Sequence, residues 1–360
     1  VWPARSRHLQ IEIDFENFRL PWKHHRSMKK ELGIFLLLAV VCTVTAVLKP
    51  LFLSEANLTN LANSIGQYGV FSIGMGFVII TGGIDLSVGS MLALVGVVLA
   101  IALRDWGWPW PLAVLLALII PMALGWVHGF LITRMDLQPF IVTLCGLLIY
   151  RSMARWITHD GTPGFGNKDN FATLRFLVFG KLFQRIDPAS GEITFGGIPT
   201  PFVILVVVAV VSWIALHRSV YGRYLFAVGK NEEAARFSGI NTRRVIASSY
   251  ILAGLLTGIS AVMFAFYTNQ VTPSLHGTFY EVYGIAAAVL GGCSLRGGEG
   301  SILGIVIGTT LLQVLRNLVV MLGIESSLEW AVMGVVILVG VLADQMLQKR
   351  AKKRLAVQRT

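Results

Sequence analysis

The chain has 360 residues, 55% of them hydrophobic and 14% charged, with a mean hydropathy of +0.70 and a net charge of +11. A water-soluble domain carries about 25% charged residues, so this balance excludes an ordinary soluble enzyme and indicates an all-α, polytopic membrane helical bundle. The positive charge does not point to nucleic acid. The basic residues gather in the opening stretch, in one internal island and in the C-terminal tail, which is how membrane proteins mark their cytoplasmic side.

Residues 1–31 form a basic N-terminal tail carrying Arg5, Arg7, Arg19, Lys23, Arg26, Lys29 and Lys30, with Phe15, Phe18 and Trp22 interleaved. Part of it could lie along the bilayer surface or be a plain cytoplasmic tail. Nothing before Leu32 reads as the short apolar run of a secretory signal. The domain expected at 32–343 contains ten candidate spans, judged against the roughly 20 apolar residues a bilayer requires. They are Leu32–Leu48, Leu58–Ile80, Leu86–Leu103, Trp110–Thr133, Phe140–Ile157, Phe202–Leu216, Val245–Tyr267, Val282–Leu290, Ile302–Leu322 and Leu328–Leu342. Val282–Leu290 is short and Leu86–Leu103 opens on glycine-rich backbone, so these two are expected to be broken or re-entrant. Cys42, Cys145 and Cys293 show no metal or disulfide spacing and read as small hydrophobes.

With the N-terminus inside, 21 Lys and Arg fall on cytoplasmic pieces and 8 on external ones, six of these in 151–199 with Arg151 and Arg155 included, leaving Arg316 within a span. That asymmetry places both termini, the basic tail 344–360 and the island 219–245 in the cytoplasm. The long loop 158–199 is expected outside.

The island Ser219–Val245 is polar yet patterned. Asn231 can cap a helix N-terminus, and Glu232 and Glu233 then occupy the first turn, where the helix dipole favours acid. Ala234, Ala235 and Arg236 continue the turn, Glu232 and Arg236 pair at i,i+4, and Gly239 is a natural terminator. Such a helix of about seven residues is too short to stand alone. With Ala234, Phe237 and Ile240 as its apolar edge, it reads either as a plug for a partner's socket or as an ordinary solvated loop.

Two glycine-rich stretches echo each other. Gly82–Ser90 (GGIDLSVGS) and Gly291–Ser301 (GGCSLRGGEGS) each follow one apolar segment and introduce another. Glycine interruptions at matching places in a transporter point to its translocation path, which marks Gly82, Gly83, Asp85, Ser87, Gly89, Ser90, Gly291, Gly292 and Ser294. Asp85 either binds substrate or a cation or caps the helix that begins near Leu86. Arg316, Glu281 and Glu299 read by default as structural ion pairs. The tryptophans near span ends read as interface anchors.

The sequence has no G-x-x-x-x-G-K-[ST], no H-E-x-x-H and no G-x-S-x-G, and its spans lack the several ionisable residues of an ion-coupled carrier. A transporter so equipped must borrow its energy. At this point Gly82–Ser90, Pro139–Leu144 (PFIVTL), Tyr221–Ile240 (YGRYLFAVGKNEEAARFSGI) and Gly291–Ser301 bring the chain close to a known family. It resembles the permease subunit of bacterial ABC importers of the ribose, xylose and galactose type. The resemblance covers about Leu32 to Asp344.

The resemblance implies a permease paired with a second copy or paralogue, two cytoplasmic ABC ATPases and a periplasmic or lipid-anchored solute-binding protein, in the bacterial inner membrane. No cofactor is expected on this chain, and ATP and Mg belong to the partner ATPase. It also implies that Gly229, Asn231, Glu232, Glu233, Ala234, Ala235, Gly239 and Ile240 form the ATPase-coupling surface. The chain departs from the family pattern at Tyr283, where many relatives have Asp, and in Lys181–Glu192, which resembles an insertion. The expected function is import of a monosaccharide or polyol by alternating access. The alternatives are a same-architecture permease for branched-chain amino acids or another solute, a membrane enzyme using Asp85 with Glu281, and a membrane scaffold.

Overall fold

Inside a bilayer every backbone polar group must find its partner within the protein, so apolar runs of this length fold as helices. The computed structural model describes residues 24–166, 171–186 and 193–325 and a few positions between 328 and 338. Along them run α1 (His24–Leu48), α2 (Glu55–Ile80), α3 (Val88–Arg104), α4 (Trp110–Arg134), α5 (Pro139–Thr158), α6 (Ala172–Phe179) and α7 (Thr200–Trp213). They continue as α8 (Val220–Lys230), α9 (Glu232–Phe237), α10 (Thr242–Thr268), α11 (Tyr280–Leu290) and α12 (Ile302–Met321). Among the described residues, seven helices are long and apolar enough to cross a membrane: α1, α2, α4, α5, α7 with the π-helical turn after it, α10 and α12. The protein is a multi-pass helical membrane bundle.

Nine of the ten expected spans appear as helices. The tenth, Leu328–Leu342, falls largely outside the described residues, as do the tail before His24 and residues 344–360. Helix α1 begins eight residues ahead of its expected start. The stretch from His24 to Glu31 contains neither Gly nor Pro and carries the helix through the basic flank. Helix α2 likewise starts at Glu55, because Ser54 caps it by accepting a hydrogen bond from Asn57 N at 3.3 Å. The loop expected at 158–199 holds structure of its own. It contains α6 and two antiparallel strand pairs, β1 (Lys181–Leu182) with β4 (Ile198–Pro199) and β2 (Arg185–Ile186) with β3 (Ile193–Phe195). The Lys181–Glu192 stretch therefore contributes β1 and β2, with residues 187–192 outside the described set.

Helix α2 is the axis of the bundle and packs against α7, α10, α11 and α12. It is continuously buried from Ile65 to Ile80. The outer faces of α1, α5 and α7 expose Phe35, Leu36 and Val40, then Leu148 and Ile149, then Val206, Val207 and Val210. These are faces for lipid.

The two segments expected to be broken are the two short apolar helices. At 1.5 Å per residue α3 is about 25 Å long and α11 about 16 Å, against a hydrocarbon core of about 30 Å. Each is preceded by non-helical backbone, residues 81–87 before α3 and 269–279 before α11. Irregular backbone at membrane depth survives only where protein or water surrounds it.

Candidate functional site

Three polar stretches meet at one end of the bundle. The first is the island. Helix α8 occupies its first half, an amphipathic segment with no capping motif as plain as that of α9, and Ser219 caps it by accepting from Gly222 N at 3.2 Å. Helix α9 follows with the expected signals. The Asn231 side chain accepts from Ala234 N at 2.9 Å, and Gly239 takes φ +83° just beyond the C-terminus. Ala235 is the residue that docks α9, being 5% exposed, and the Ile240 N–H closes back on the Ala235 carbonyl at 3.1 Å. Asn231, Glu232, Glu233, Ala234 and Gly239 are exposed, and Phe237 is 84% exposed. Of the apolar edge expected from Ala234, Phe237 and Ile240, only Ile240 is half-buried, where it joins Ile132, Thr133, Asp136, Glu232 and Arg236 around a cleft of about 450 Å³.

The second and third stretches are the glycine-rich ones, and they begin with the same turn. After α2, Gly82 has φ +87° and the Gly83 N–H reaches back to the Val78 carbonyl at 3.1 Å. After α11, Gly292 has φ +90° and the Cys293 N–H reaches the Ala288 carbonyl at 2.9 Å. Both are Schellman closures, which place a left-handed residue, ordinarily glycine, just past a helix end. The structural match is Gly82 with Gly292, one position along from the alignment of the two Gly-Gly pairs.

The island touches both. Gly298 donates to the Ile80 carbonyl at 2.8 Å. Gly229, in the last turn of α8, lies so close that a Cβ on it would overlap the Ile80 carbonyl and crowd Gly298 N. Gly229 is therefore an internal joint, not part of the exposed face of α9. Ser294 tightens the third stretch, its N–H donating to the Glu299 carbonyl at 3.1 Å and its Oγ accepting from Arg296 N at 3.3 Å.

From this end, residues 82–87 lead into the bundle. The Asp85 carboxylate accepts from Ser87 N at 2.8 Å and from Ser87 Oγ at 2.7 Å, and Ser90 Oγ donates to the Ser87 carbonyl at 2.8 Å. Asp85 thus braces the turn ahead of α3 rather than capping it, since the helix begins at Val88 and its N-cap position is Ser87. Thr143 Oγ1 donates to the Ile84 carbonyl at 3.3 Å, and the Tyr250 ring packs against Gly83. Nearby, Tyr150 Oη and His128 Nε2 stand 2.8 Å apart, and the His128 ring meets the Tyr250 ring edge-on with centroids 6.3 Å apart.

The N-termini of α3 and α11 converge deep inside. Glu281, in the first turn of α11, holds its carboxylate against the start of α3, so close that a Cβ on Gly89 would overlap Glu281 Oε2. One carboxylate thereby serves the positive ends of two helices. Gly89 and Gly277 touch backbone to backbone, and a Cβ on Gly89 would overlap the Gly277 carbonyl. Arg151 donates to the carbonyls of Pro273 at 2.9 Å and His276 at 2.5 Å, pinning the 269–279 segment. Arg316 donates to Tyr68 Oη at 3.2 Å.

Of the residues marked for a path, Gly83, Asp85, Ser87, Gly89, Ser90 and Gly291 are enclosed by the chain's own helices, while Gly82 is exposed and Gly292 and Ser294 are partly so. Sequence reading missed Arg151 and Gly277, whose signal is faint, an arginine inside an apolar run and a glycine in a loop. Among the described residues no group of three His, Cys, Asp or Glu is placed to hold a metal ion.

The model of the family described as branched-chain amino acid transport system / permease component matches residues 57–341. The chain is 38% identical over 322 residues to the ribose import permease protein RbsC of Bacillus subtilis, covering 89% of this chain and 95% of that one. It is 35% identical over 318 residues to RbsC of Escherichia coli K12, covering 88% and 93%, respectively. To the xylose transport system permease protein XylH of Escherichia coli K12 it is 29% identical over 368 residues, with 89% and 93% covered. With a match spanning most of its length and a helical bundle of the expected kind, the chain belongs to this family of transport-system permease components.

Proposed function

We propose that this chain is the permease subunit of an ATP-driven importer that carries a monosaccharide such as ribose, or a related sugar or polyol, into the cytoplasm by alternating access. The observation that carries the reading is the similarity to ribose and xylose permeases over about nine tenths of both chains. The coupling surface is the exposed face of α9, Asn231, Glu232, Glu233, Ala234 and Gly239, with Phe237 at its tip. Ala235 and Ile240 seat that helix, and Gly229 passes its displacement to Gly82 and Gly297–Gly298. The glycine-rich stretches act as the joints on which α3 and α11 shift, and the solute passes beside them. Both termini and α9 lie in the cytoplasm. There a separate ATPase with ATP and Mg docks on α9, a solute-binding protein delivers from the other side, and a second permease copy or paralogue completes the path.

The test is reconstitution with the cognate ATPase and binding protein. Glu233→Trp and Gly239→Trp are expected to abolish ATP-driven uptake while leaving the permease folded; uptake at the wild-type rate in both variants would refute the coupling role. The family description favours a second reading, a solute of the branched-chain amino acid type. Thermal-shift screening of the cognate binding protein against pentoses and amino acids separates the two.

A further inference from the structure

One face of α2 is polar where its neighbours turn apolar residues to the lipid. Asn57, Asn60, Ser64 and Tyr68 succeed one another at spacings of three and four, so they share a face, and Asn63 and Gln67 run beside them. Helix α12 answers along the same line. The Asn57 and Asn317 amides exchange hydrogen bonds at 3.2 and 2.7 Å, and Arg316 holds the Tyr68 hydroxyl. Tyr280 lies against Tyr68 with ring centroids 4.9 Å apart.

Tyr68 stands about 20 Å from the start of α2, near the middle of the bilayer. Asn60 is exposed at the surface of the single chain, and Ser64, Arg316, Asn317 and Tyr280 are partly exposed. The Ser64 hydroxyl and the Arg316 guanidinium at that depth cannot face hydrocarbon, and Asn60 stands one turn nearer the helix start on the same face, so water or a polar surface covers them. Asn63 Oδ1 and Gln67 Nε2 belong to the adjoining row. Their residues are 7% and 1% exposed, and among the described residues neither atom has a hydrogen-bond partner. A buried amide left without a partner is costly enough to demand one in some state of the protein.

We propose that this α2–α12 face is the wall of the transport path, and that its amides and hydroxyls bind the hydroxyl groups of a pentose-sized sugar. The chemistry fits because amides and hydroxyls both give and accept hydrogen bonds, as vicinal sugar hydroxyls do. Arg316 adds a donor and the partly exposed Tyr280 a ring at the midpoint, with Tyr68 buried behind them. The inference rests on the sugar-import reading above, and names the residues that meet the sugar.

The test uses the permease reconstituted with its ATPase and binding protein, with D-ribose and D-xylose as probes. In a chain whose Cys42, Cys145 and Cys293 are replaced by Ala, N60C and S64C are expected to react with a charged, membrane-impermeant methanethiosulfonate about tenfold faster than L148C, whose side chain faces lipid. N60L and S64L are expected to lose about tenfold in uptake while ATP hydrolysis and thermal unfolding stay as in the wild type. Equal labelling of N60C, S64C and L148C, or undiminished uptake in both Leu variants, overturns the wall. If the wild type imports neither pentose, the sugar reading fails, and labelling still decides whether the face is aqueous.

Discussion

The turns at the ends of α2 and α11 are built alike and lead to different places. Each ends its helix on a left-handed glycine, Gly82 or Gly292, with the same backward hydrogen bond. After Gly82 the chain dives into the bundle as non-helical backbone and launches α3 from Ser87. After Gly292 it stays at the bundle's end, folds into a loop closed by Ser294 and Gly298, and launches α12 from Ser301, whose Oγ accepts from Gly304 N at 3.4 Å. The first turn delivers a backbone segment to the protein interior, and the second delivers a surface that α8 can lean on. A repeated motif therefore fixes local geometry alone. The residues just beyond it, Asp85 with Ser87 in one case and a run of glycines in the other, decide the use.

The largest effect is expected where the two turns meet the island. Gly229→Val drives a side chain into the Ile80 carbonyl and Gly298. Overpacking against rigid backbone costs about 1–3 kcal/mol and sometimes more, so thermal unfolding should fall clearly. ATP-driven uptake should fall further than that loss explains, because the joint between α8 and both turns is forced apart. Gly107→Val is the control, since nothing stands within 4 Å of a Cβ there and only its φ of +64° is strained.

Next comes the interior end of the first turn's path. Glu281→Leu replaces the carboxylate that lies against Gly89 and the two helix starts by an apolar group. Leaving buried backbone donors without a polar neighbour costs about 1–3 kcal/mol, more when a charge is involved. The expected outcome is a lower unfolding temperature with Glu281→Gln close to wild type, because an amide keeps a polar group of the same size at the two helix starts. A Gln variant as unstable as Leu would show that the charge, not the polar contact, joins α3 to α11.

The comparison itself is sharpened by Gly82→Ala and Gly292→Ala. Each puts a Cβ on a left-handed residue, at about 1–2 kcal/mol. Equal losses in unfolding free energy are expected from equal geometry. Uptake should suffer more from Gly82→Ala, because its turn leads to Asp85 and the start of α3. The reverse ranking would make the 291–301 loop the more important of the two for transport.

Much of this architecture is legible in the sequence, and the exceptions share a cause. Hydrophobic length places nine helices and singles out α3 and α11 as short, because span length is a one-dimensional property. Capping chemistry locates α9 from Asn231 to Gly239 for the same reason. What a helix faces is not one-dimensional. Ala235 rather than Ala234 docks α9, Gly229 belongs to a joint formed with residues far along the chain, and Asn57 meets Asn317 across 260 positions. The polar row on α2 is hidden because Asn57, Asn60, Asn63, Ser64 and Gln67 merely dilute the hydropathy of a long apolar run. Helices α6 and α8 escape notice because they are short and amphipathic, inside stretches that read as loops.

The smallest effect belongs to the element that both turns support. Asn231→Ala removes the side-chain acceptor for Ala234 N at the start of α9. A lost N-cap costs about 1 kcal/mol. Because α9 has six residues and exposes most of them, that cost falls on local fraying rather than on the bundle. The unfolding temperature should therefore stay within error of wild type, while amide exchange at Ala234 and Ala235 rises about fivefold, the equivalent of about 1 kcal/mol. Uptake should fall a few-fold, and Asn231→Asp, which caps equally well, should restore it. An Asn231→Ala variant that unfolds early would mean that α9 holds the two turns together instead of resting on them.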